Sequence, residues 1–328
     1  MSHLKSLDRR FTLAPMMEWS TTDCRTFWRF LTKKAVVYSE MVTSGALLHG
    51  DKKRFLQFNE IEHPIALQLG GSNPKDLAKC AKIAQDWGYD EINLNCGCPS
   101  DRVQNGMIGA VLMSHPSVVA DCIAAMQNAV DIPVTVKHRI GIDEMDDYEG
   151  MLNFVDQIAA TGCDTFIVHA RKAWLKGLSP KENREIPPLN YDNVIRLKQE
   201  RPQLEIIING GIKTLEQSQT LLQHVDGVML GREAYSNPYL LAEVDQKIYG
   251  CGTPAPSRQE VMEKFIVYCE QELSKGAKLN HLTRHILGLY QGLPGAKQFR
   301  RVISEQAHKP NAGIEVVFNA LNALYEIE

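Results

Sequence analysis

The chain has 328 residues, 44% of them hydrophobic and 23% charged, which indicates a globular protein of about two domains and excludes a disordered or fibrous chain. Its 36 basic and 39 acidic residues give a formal net charge of -3, so the overall charge does not indicate a polyanionic partner. No apolar run approaches the ~18 residues that a membrane-spanning helix needs, which argues against a membrane protein.

The first ten residues are polar and lack the apolar segment of a secretory signal. Eight cysteines in a chain of this length do not form a disulfide framework. We therefore expect a cytoplasmic protein with reduced thiols.

Eight short β-rich runs recur along the chain, and most of the gaps between them hold a segment of helical periodicity. The runs cover residues 11–15, 35–39, 64–69, 91–95, 133–137, 165–169, 205–209 and 227–231. Helices are predicted for residues 74–87, 116–130, 146–160, 191–200 and 214–225, whereas the second gap shows no clear helix. Eight alternations of strand and helix predict an α/β fold, a closed parallel TIM (β/α)8 barrel. An open doubly wound sheet is the alternative, but its Gly-x-Gly-x-x-Gly turn is missing from the sequence.

The strand pattern stops after Asn237-Pro238, and from there helical stretches alternate with turns rich in Gly and Pro. We therefore predict two domains, a catalytic barrel over residues 1–243 and a small all-helical domain over residues 244–328.

Polar or titratable residues lie at the carboxyl ends of five predicted strands, with the parity that turns them toward the barrel interior. They are Gln68, Asn93, Asn95, Lys137, His169 and Asn209. A single Asn, Gln or His at a strand end is usually a turn former or a hydrogen-bonded structural residue. Their coincidence on five strands, at the end where barrel enzymes keep their chemistry, predicts an active site.

Glycines follow the seventh and eighth strands in Asn209-Gly210-Gly211 and Gly231-Arg232. Glycine is an ordinary turn residue, but exposed backbone N–H groups beside an arginine also suit a phosphate, and barrels frequently bind phosphate at this position. The sequence therefore predicts a phosphorylated cofactor or substrate, which Lys137 and Gln68 would face from other strands.

Cys98 follows the fourth strand in a loop that contains Gly and Pro. Buried, inert thiols are the usual state of cysteine, but a thiol above the barrel mouth with a pKa of about 8.5 is protonated at neutral pH and can donate a proton. A nucleophile would need a partner that stabilises the thiolate, and the sequence identifies none. Cys96 and Cys98 could suggest a metal site, but no second pair of ligands completes it, so we predict no metal.

Two stretches are strongly basic. Residues 273–304 hold six Lys or Arg and no acid, and residues 171–185 hold five Lys or Arg around Trp174. A charge run is usually a solvated face. Here one run flanks the predicted mouth and the other fills the helical appendage, so together they could bind a phosphate backbone while a base enters the site.

The chain resembles the tRNA-dihydrouridine synthases along essentially its whole length, and within them the A subfamily. The motifs that carry the resemblance are Ala-Pro-Met-Met at 14–17, Ala-Leu-Gln-Leu-Gly-Gly at 66–71, Asn-Leu-Asn-Cys-Gly-Cys-Pro-Ser at 93–100, Val-Lys-His-Arg-Ile-Gly at 136–141, Asn-Gly-Gly at 209–211 and Gly-Arg-Glu-Ala at 231–234. The runs His-Ala-Arg-Lys-Ala-Trp at 169–174 and Ser-Pro-Lys-Glu-Asn-Arg-Glu at 179–185 point to the A subfamily. Cys96, in place of a more usual small apolar residue, is the only departure.

The resemblance implies a tightly bound FMN, with NADPH as the reductant. By the same resemblance Pro15, Met16 and Met17 lie along the ring, Gln68 and Lys137 bond its polar edge, and His169 completes the contacts. The residues implied at the phosphate are Asn209, Gly210, Gly211, Gly231 and Arg232. A lysine near the N1/O2 edge would stabilise negative charge on the reduced ring.

The reaction that the resemblance implies is reduction of uridine to 5,6-dihydrouridine at positions 20 and 20a of the tRNA D-loop. A uridine is flipped into the pocket, a hydride passes from flavin N5 to C6, and Cys98 protonates C5. Asn95 is expected to contact the base. The residues expected to orient the tRNA are Lys181, Arg184, Lys297 and Arg300.

Two alternatives stay open at this point. An FMN-dependent TIM-barrel oxidoreductase acting on a small molecule would share the phosphate site and Lys137, but it would not use a basic helical appendage. A non-enzymatic RNA-binding protein with a barrel scaffold predicts no flavin and no role for Cys98.

Overall fold

The structure is a computed structural model that describes residues 7–100, 106–145 and 147–325. Its strands are β1 Phe11–Leu13, β2 Val36–Thr43, β3 Ile65–Gly70, β4 Glu91–Cys96, β5 Val134–Arg139, β6 Thr165–His169, β7 Glu205–Asn209 and β8 Gly227–Leu230. The α-helices are α1 Thr22–Leu31, α2 Ser44–His49, α3 Lys52–Leu56, α4 Pro74–Trp87, α5 Pro116–Gln127, α6 Tyr148–Ala159, α7 Tyr191–Glu200, α8 Leu215–Leu221, α9 Arg232–Ser236, α10 Val244–Lys247, α11 Arg258–Ser274, α12 Leu279–Thr283, α13 Ala296–Gln306 and α14 Glu315–Tyr325.

The eight strands form one closed barrel in chain order, in which every pair is parallel and β8 returns to pair with β1. Every predicted strand is present, and helices lie between the strands, so the predicted TIM barrel is confirmed. The prediction was wrong for the second gap, which holds the two short helices α2 and α3. Each has only five or six residues, too few for a helical period to stand out in the sequence.

Local capping explains where the helices begin. Asn73 Oδ1 accepts the Asp76 backbone N–H at 3.1 Å at the start of α4, and Pro74 occupies the first helical turn. Asp147 caps α6 in the same way through the Gly150 N–H at 2.7 Å. The first residue predicted for that helix, Asp146, lies outside the described residues.

Contacts between Cα atoms divide the chain into two compact units. The first unit takes its described residues from Met1–Glu18 and Ala35–Gly231 and contains the barrel. The second takes them from Trp19–Lys34 and Arg232–Glu328, so it is helical and includes α1 as well as α9 to α14. The division of the chain into a catalytic domain to residue 243 and a tRNA-binding domain from residue 244 stays a prediction.

The interior of the barrel contains an apolar layer of fully or almost fully buried side chains. They are Ala14, Val36, Tyr38, Ala66, Ile167, Ile207 and Met229, with Met16 packed against them. Residues two apart on a strand face the same side, so Gln68, His169 and Asn209 lie one step further along the same inward faces as Ala66, Ile167 and Ile207. The apolar layer thus lies directly below the polar residues at the carboxyl ends of the strands.

The second unit has its own core. Phe27 of α1 packs edge to face on Phe265 of α11, with ring centroids 5.6 Å apart. Asp23 of α1 accepts the Tyr268 hydroxyl at 2.6 Å, and Trp28 Nε1 donates to Ala234 O at 3.2 Å. Among the described residues, no helix combines the length and the apolar character needed to cross a membrane.

Truncation of the buried layer tests the barrel core. Ile207→Ala removes apolar atoms from a fully buried site, and we expect the free energy of unfolding to fall by about 2–5 kcal/mol. Urea denaturation of the ligand-free protein gives the value, with Gln203→Ala at an exposed turn as the control. A loss no larger than that of the control would contradict the assignment of Ile207 to the core.

Candidate active site

The strand register brings the predicted polar residues to the carboxyl end of the barrel. Asn95 is paired with Lys137 across β4 and β5, and His169 is paired with Asn209 across β6 and β7. Gln68 on β3 is opposite Asn93 on β4. Five strands therefore contribute to one cluster, as their sequence positions predict.

Asn95 links the barrel interior to the cysteine loop. Its Nδ2 donates to Gln68 Oε1 at 2.8 Å, and its Oδ1 accepts the backbone N–H groups of Gly97 and Cys98, each at 3.0 Å. The side chain is 9% exposed, so water competes little for these bonds. The loop that carries Cys98 is thus attached directly to a buried amide.

Lys137 lies at the centre of the cluster, where its Nζ donates to Asn209 Oδ1 at 3.1 Å. Asn209 in turn donates from Nδ2 to Met229 O at 2.8 Å, which fixes the orientation of its amide. Burial, with a smaller contribution from the Arg139 charge, lowers the pKa of Lys137 from 10.5 to about 7. In the ligand-free protein the Lys137 amine therefore changes its protonation state near neutral pH.

His169 is a neutral imidazole at physiological pH. Burial and the neighbouring charges of Arg139 and Lys137 hold its pKa well below the ordinary value of 6.5. Gly210 is required beside the ring, because a Cβ atom there would lie 2.7 Å from His169 Cδ2, and the backbone φ is +118°. His169 can therefore offer a neutral hydrogen bond to a ligand.

The glycines after β7 and β8 leave backbone donors unused. Within the residues that the structure describes, the N–H groups of Gly210, Gly211 and Gly231 donate no hydrogen bond. A Cβ at Gly231 would meet Ala14 and Met16 at ordinary contact distance, so this glycine packs against the segment after β1 without crowding it. Three unpaired N–H groups fit a phosphate, which needs several donors. Arg232 follows Gly231 in the chain as the first residue of α9.

The segment after β1 provides apolar surface. Pro15 and Met16 are half-buried, and Met16 packs against the apolar layer of the barrel. Met17 is 59% exposed, so its side chain is not held in the buried cluster. Its predicted contact with the cofactor ring stays a prediction.

Cys98 is a half-buried residue with a free thiol. Its carbonyl oxygen accepts the Ala110 N–H at 2.8 Å. A Cβ at Gly109 would lie 2.4 Å from the same oxygen, so only glycine fits there. Arg139 Nε donates to the carbonyl oxygen of the preceding residue, Gly97, at 2.8 Å, so a cation lies beside the Cys98 loop. Gly109 is part of the site that the sequence did not reveal, because nothing local relates it to Cys98.

Arg139 is a second residue that sequence analysis missed. It is 3% exposed and donates from Nε to Gly97 O at 2.8 Å and from Nη1 to Lys172 O and Asn183 O, each at 3.0 Å. Burial lowers its pKa to about 10, so it stays charged at neutral pH. Arg139 therefore joins the cysteine loop to the basic loop after β6. Its position two residues after Lys137, on the same inward face, was an available signal.

The basic loop after β6 is shaped by Asn183, which is fully buried. Its Oδ1 accepts Trp174 N at 2.8 Å, and its Nδ2 donates to Trp174 O at 2.9 Å and to Leu178 O at 3.2 Å. Lys181 and Arg184 are exposed on either side of it. Two predicted tRNA contacts are therefore presented on an ordered turn.

The other two predicted tRNA contacts line a groove of about 680 Å³ inside the second unit. Lys297 and Arg300 lie three residues apart on α13 and are both exposed. Trp19 and Tyr235 also line the groove, and their rings stack with centroids 4.4 Å apart and planes 12° apart. The remaining lining residues include Arg284 and no acid. The groove therefore presents aromatic surface and positive charge together.

The described residues contain no cluster of three or more His, Cys, Asp or Glu side chains that could hold a metal ion. Cys96, two residues before Cys98, is fully buried, and burial raises the pKa of its thiol well above the ordinary value. It is therefore an unreactive core residue.

Comparison with known proteins decides the family. The sequence profile of the dihydrouridine synthases matches residues 12–325, nearly the whole chain. The chain belongs to the dihydrouridine synthase family. The resemblance seen in the sequence is confirmed, and so is the predicted enzyme class, which favours the main interpretation over a small-molecule oxidoreductase.

Curated relatives are similar over almost their full length. The chain is 60% identical over 313 residues to the tRNA-dihydrouridine(20/20a) synthase of Vibrio parahaemolyticus, which covers 95% of this chain and 96% of the relative. It is 60% identical to the protein of the same name from Shewanella oneidensis, over 95% of this chain and 93% of the relative. For the Pseudomonas aeruginosa protein of that name the identity is 56%, with 97% and 96% covered.

The lowered pKa of Lys137 predicts a pH-dependent stability in the ligand-free protein. Between about pH 7 and 10.5 the unfolded chain keeps a proton on this lysine that the folded protein has released. The contribution of Lys137 to the free energy of unfolding therefore rises with pH across this window. In urea denaturation we expect the free energy of unfolding of wild type to rise from pH 7 to 10 relative to that of Lys137→Met. Parallel pH curves would contradict the shift, and Lys75→Met, which removes an exposed lysine, is the charge-matched control.

Proposed function

We propose that the chain reduces the C5–C6 double bond of uridine to 5,6-dihydrouridine at positions 20 and 20a of the tRNA D-loop. The observation that carries the proposal is the half-buried Cys98, whose backbone N–H is held by Asn95 Oδ1 at the barrel end where Lys137, His169 and Asn209 meet. The relatives named for this reaction support it, because they align along almost the whole chain.

The residues present fit FMN. The unpaired N–H groups of Gly210, Gly211 and Gly231, with Arg232 next in the chain, would hold its phosphate. Toward the ring system the proposed contacts are Pro15, Met16, Met17, Gln68, Lys137, His169 and Asn209. When bound, FMN supplies the hydride that reduces uracil C6, and NADPH is the proposed source of that hydride.

Lys137 and His169 would have different roles toward the bound ligand. The ammonium of Lys137 would bind where negative charge develops, and a negatively charged ligand beside it would raise its lowered pKa again. His169, held neutral by burial and by its cationic neighbours, would orient the ligand by a hydrogen bond without adding charge.

Cys98 is the proposed proton donor. Its S–H bond breaks as a new C–H bond forms at uracil C5, and the electron pair stays on sulfur as a thiolate. The nearby charges of Lys137 and Arg139 would stabilise that thiolate until solvent reprotonates the half-exposed sulfur. Asn95 keeps one N–H of its amide for the uracil base.

The tRNA would bind through basic residues of both units. Lys181 and Arg184 lie on the turn that Asn183 orders, and Lys297 and Arg300 line the groove beside Trp19. Phosphates pair with such cations, and an unpaired base stacks on an aromatic face. A small-molecule oxidoreductase would leave both features without a role.

The test of the proposal is dihydrouridine formation. Unmodified tRNA is incubated with the protein, FMN and NADPH, and the product is mapped to its position by mass spectrometry. Dihydrouridine at 20 or 20a is the expected result. Product elsewhere in the D-loop would contradict the proposed positions, and a yellow, NADPH-reducible protein that gives no product would favour the small-molecule alternative.

The proton-donor role of Cys98 predicts the effect of its removal. We expect Cys98→Ala to bind FMN and tRNA as wild type does and to form dihydrouridine about 10²- to 10⁴-fold more slowly, because a positioned general acid is lost. Single-turnover reduction of tRNA measures this rate. Cys251→Ala, which removes another half-exposed thiol, is the control. A wild-type rate in Cys98→Ala would exclude the role.

The tRNA-binding role of the groove predicts a change in salt dependence. For Lys297→Ala with Arg300→Ala we expect weaker tRNA binding and a slope of log K against log salt that is smaller by about 2, because two phosphate contacts are lost. Filter binding across a salt series measures both. Arg301→Ala with Lys309→Ala removes the same charge outside the groove lining and is the control. Equal slopes for the two double variants would place the tRNA elsewhere.

A further inference from the structure

A chain of side-chain hydrogen bonds descends from the cysteine loop into the barrel. The Cys98 N–H donates to Asn95 Oδ1 at 3.0 Å, and Asn95 Nδ2 donates to Gln68 Oε1 at 2.8 Å. Gln68 Nε2 then donates to Asn93 Oδ1 at 2.8 Å. Three carboxamides on two neighbouring strands are thus connected in series.

The same chain continues to a buried carboxylate. Asn93 Nδ2 donates to Thr135 Oγ1 at 2.9 Å, and the Thr135 hydroxyl donates to Glu91 Oε1 at 2.6 Å. Glu91 is fully buried and paired with Arg9, whose Nε lies 2.7 Å from Oε2. Tyr38 donates a second hydroxyl to Glu91 Oε1 at 2.7 Å. We call the series from Cys98 N to Glu91 the buried hydrogen-bond chain.

All bonds of this chain point in one direction, and the carboxylate dictates that direction. A carboxylate only accepts, so Thr135 must give its single proton to Glu91 and accept from the Asn93 amide nitrogen. The Asn93 oxygen then faces Gln68, whose own oxygen must face Asn95. The carboxylate at one end of the chain and the backbone N–H groups of the cysteine loop at the other end therefore select the same orientation for the three amides.

The selected orientation determines what the site offers to a ligand. Gln68 and Asn95 each use one amide proton inside the chain and keep the other. Together with the Lys137 ammonium they supply N–H donors, which match the carbonyl oxygens of a flavin or uracil ring. The reversed orientation would offer amide oxygens instead and would release the N–H groups of the cysteine loop.

We propose that Glu91, Thr135 and Asn93 are positioning residues of the reaction, which set Gln68 and Asn95 as hydrogen-bond donors and hold the Cys98 loop through them. This inference rests on the proposed function, since FMN and uracil are the ligands that need donors. Burial supports it, because Gln68 is 1% exposed and Asn93 and Thr135 are fully buried, so water cannot replace a missing link.

Thr135→Val tests the inference, because it keeps the shape of the side chain and removes the hydroxyl that transmits the orientation. We expect the dissociation constant of FMN to rise about tenfold, the equivalent of one hydrogen bond, and the visible absorption bands of bound FMN to shift. Thr135→Ser, which keeps the hydroxyl, should restore both values. Fluorescence titration of FMN-free protein gives the dissociation constant without any turnover.

Thr12→Val is the matched control. Thr12 is an equally buried threonine of the barrel, and its hydroxyl donates only to the backbone oxygen of Val228, at 3.2 Å. A merely structural role of Thr135 would lower the thermal stability of both valine variants and leave FMN affinity and spectrum unchanged in both. That result would overturn the inference.

Asn93→Val cuts the chain one link higher and serves as the second test if Thr135→Val does not fold. The same tenfold loss of FMN affinity is expected. Wild-type protein that fails to bind FMN would contradict the proposed function itself. If wild type binds FMN and both Thr135→Val and Asn93→Val bind it with the same affinity, only the positioning role of the buried hydrogen-bond chain is contradicted.

Discussion

The ion pair between Arg9 and Glu91 is the interaction on which the polar half of the barrel depends. Its atoms are 2.7 Å apart, and Arg9 also reaches Glu205 at 2.8 Å, so residues of β4 and β7 are joined through the segment before β1. A buried carboxylate without its cation would cost several kcal/mol, so the pair must form whenever the barrel closes. With its charge compensated, Glu91 can accept hydrogen bonds from Tyr38 and Thr135 in the barrel interior, where water does not compete.

The opposite end of the interior holds a cluster of basic side chains. Lys137, Arg139 and His169 lie on adjacent strands, and each has a pKa below its ordinary value because burial and the neighbouring positive charges disfavour protonation. Such a cluster is ready for a negatively charged ligand, which would relieve the repulsion. The barrel thus separates an end where Arg9 is paired with two carboxylates from an end where basic side chains face the proposed ligand site.

Much of this arrangement was predictable from local patterns. The eight strands followed from short β-rich runs, and the period of two placed Gln68, Lys137 and Asn209 on inward faces. The glycines after β7 and β8 were visible as candidate phosphate contacts, and their N–H groups have no partner among the described residues. The short helices α2 and α3 were missed because five or six residues do not show a period. Arg139 and Gly109 were missed because their partners lie on other loops.

The sequence by itself determined the alternation of elements, the inward parity of the polar strand ends and the family motifs, because these depend on neighbours within one or two turns. Only the tertiary structure decided which polar groups meet. Asn93 and Thr135 are 42 residues apart, and Lys137 and Asn209 are 72 apart, yet each pair is hydrogen-bonded. Such bonds depend on the register in which eight strands close, and register is a property of all the strands together.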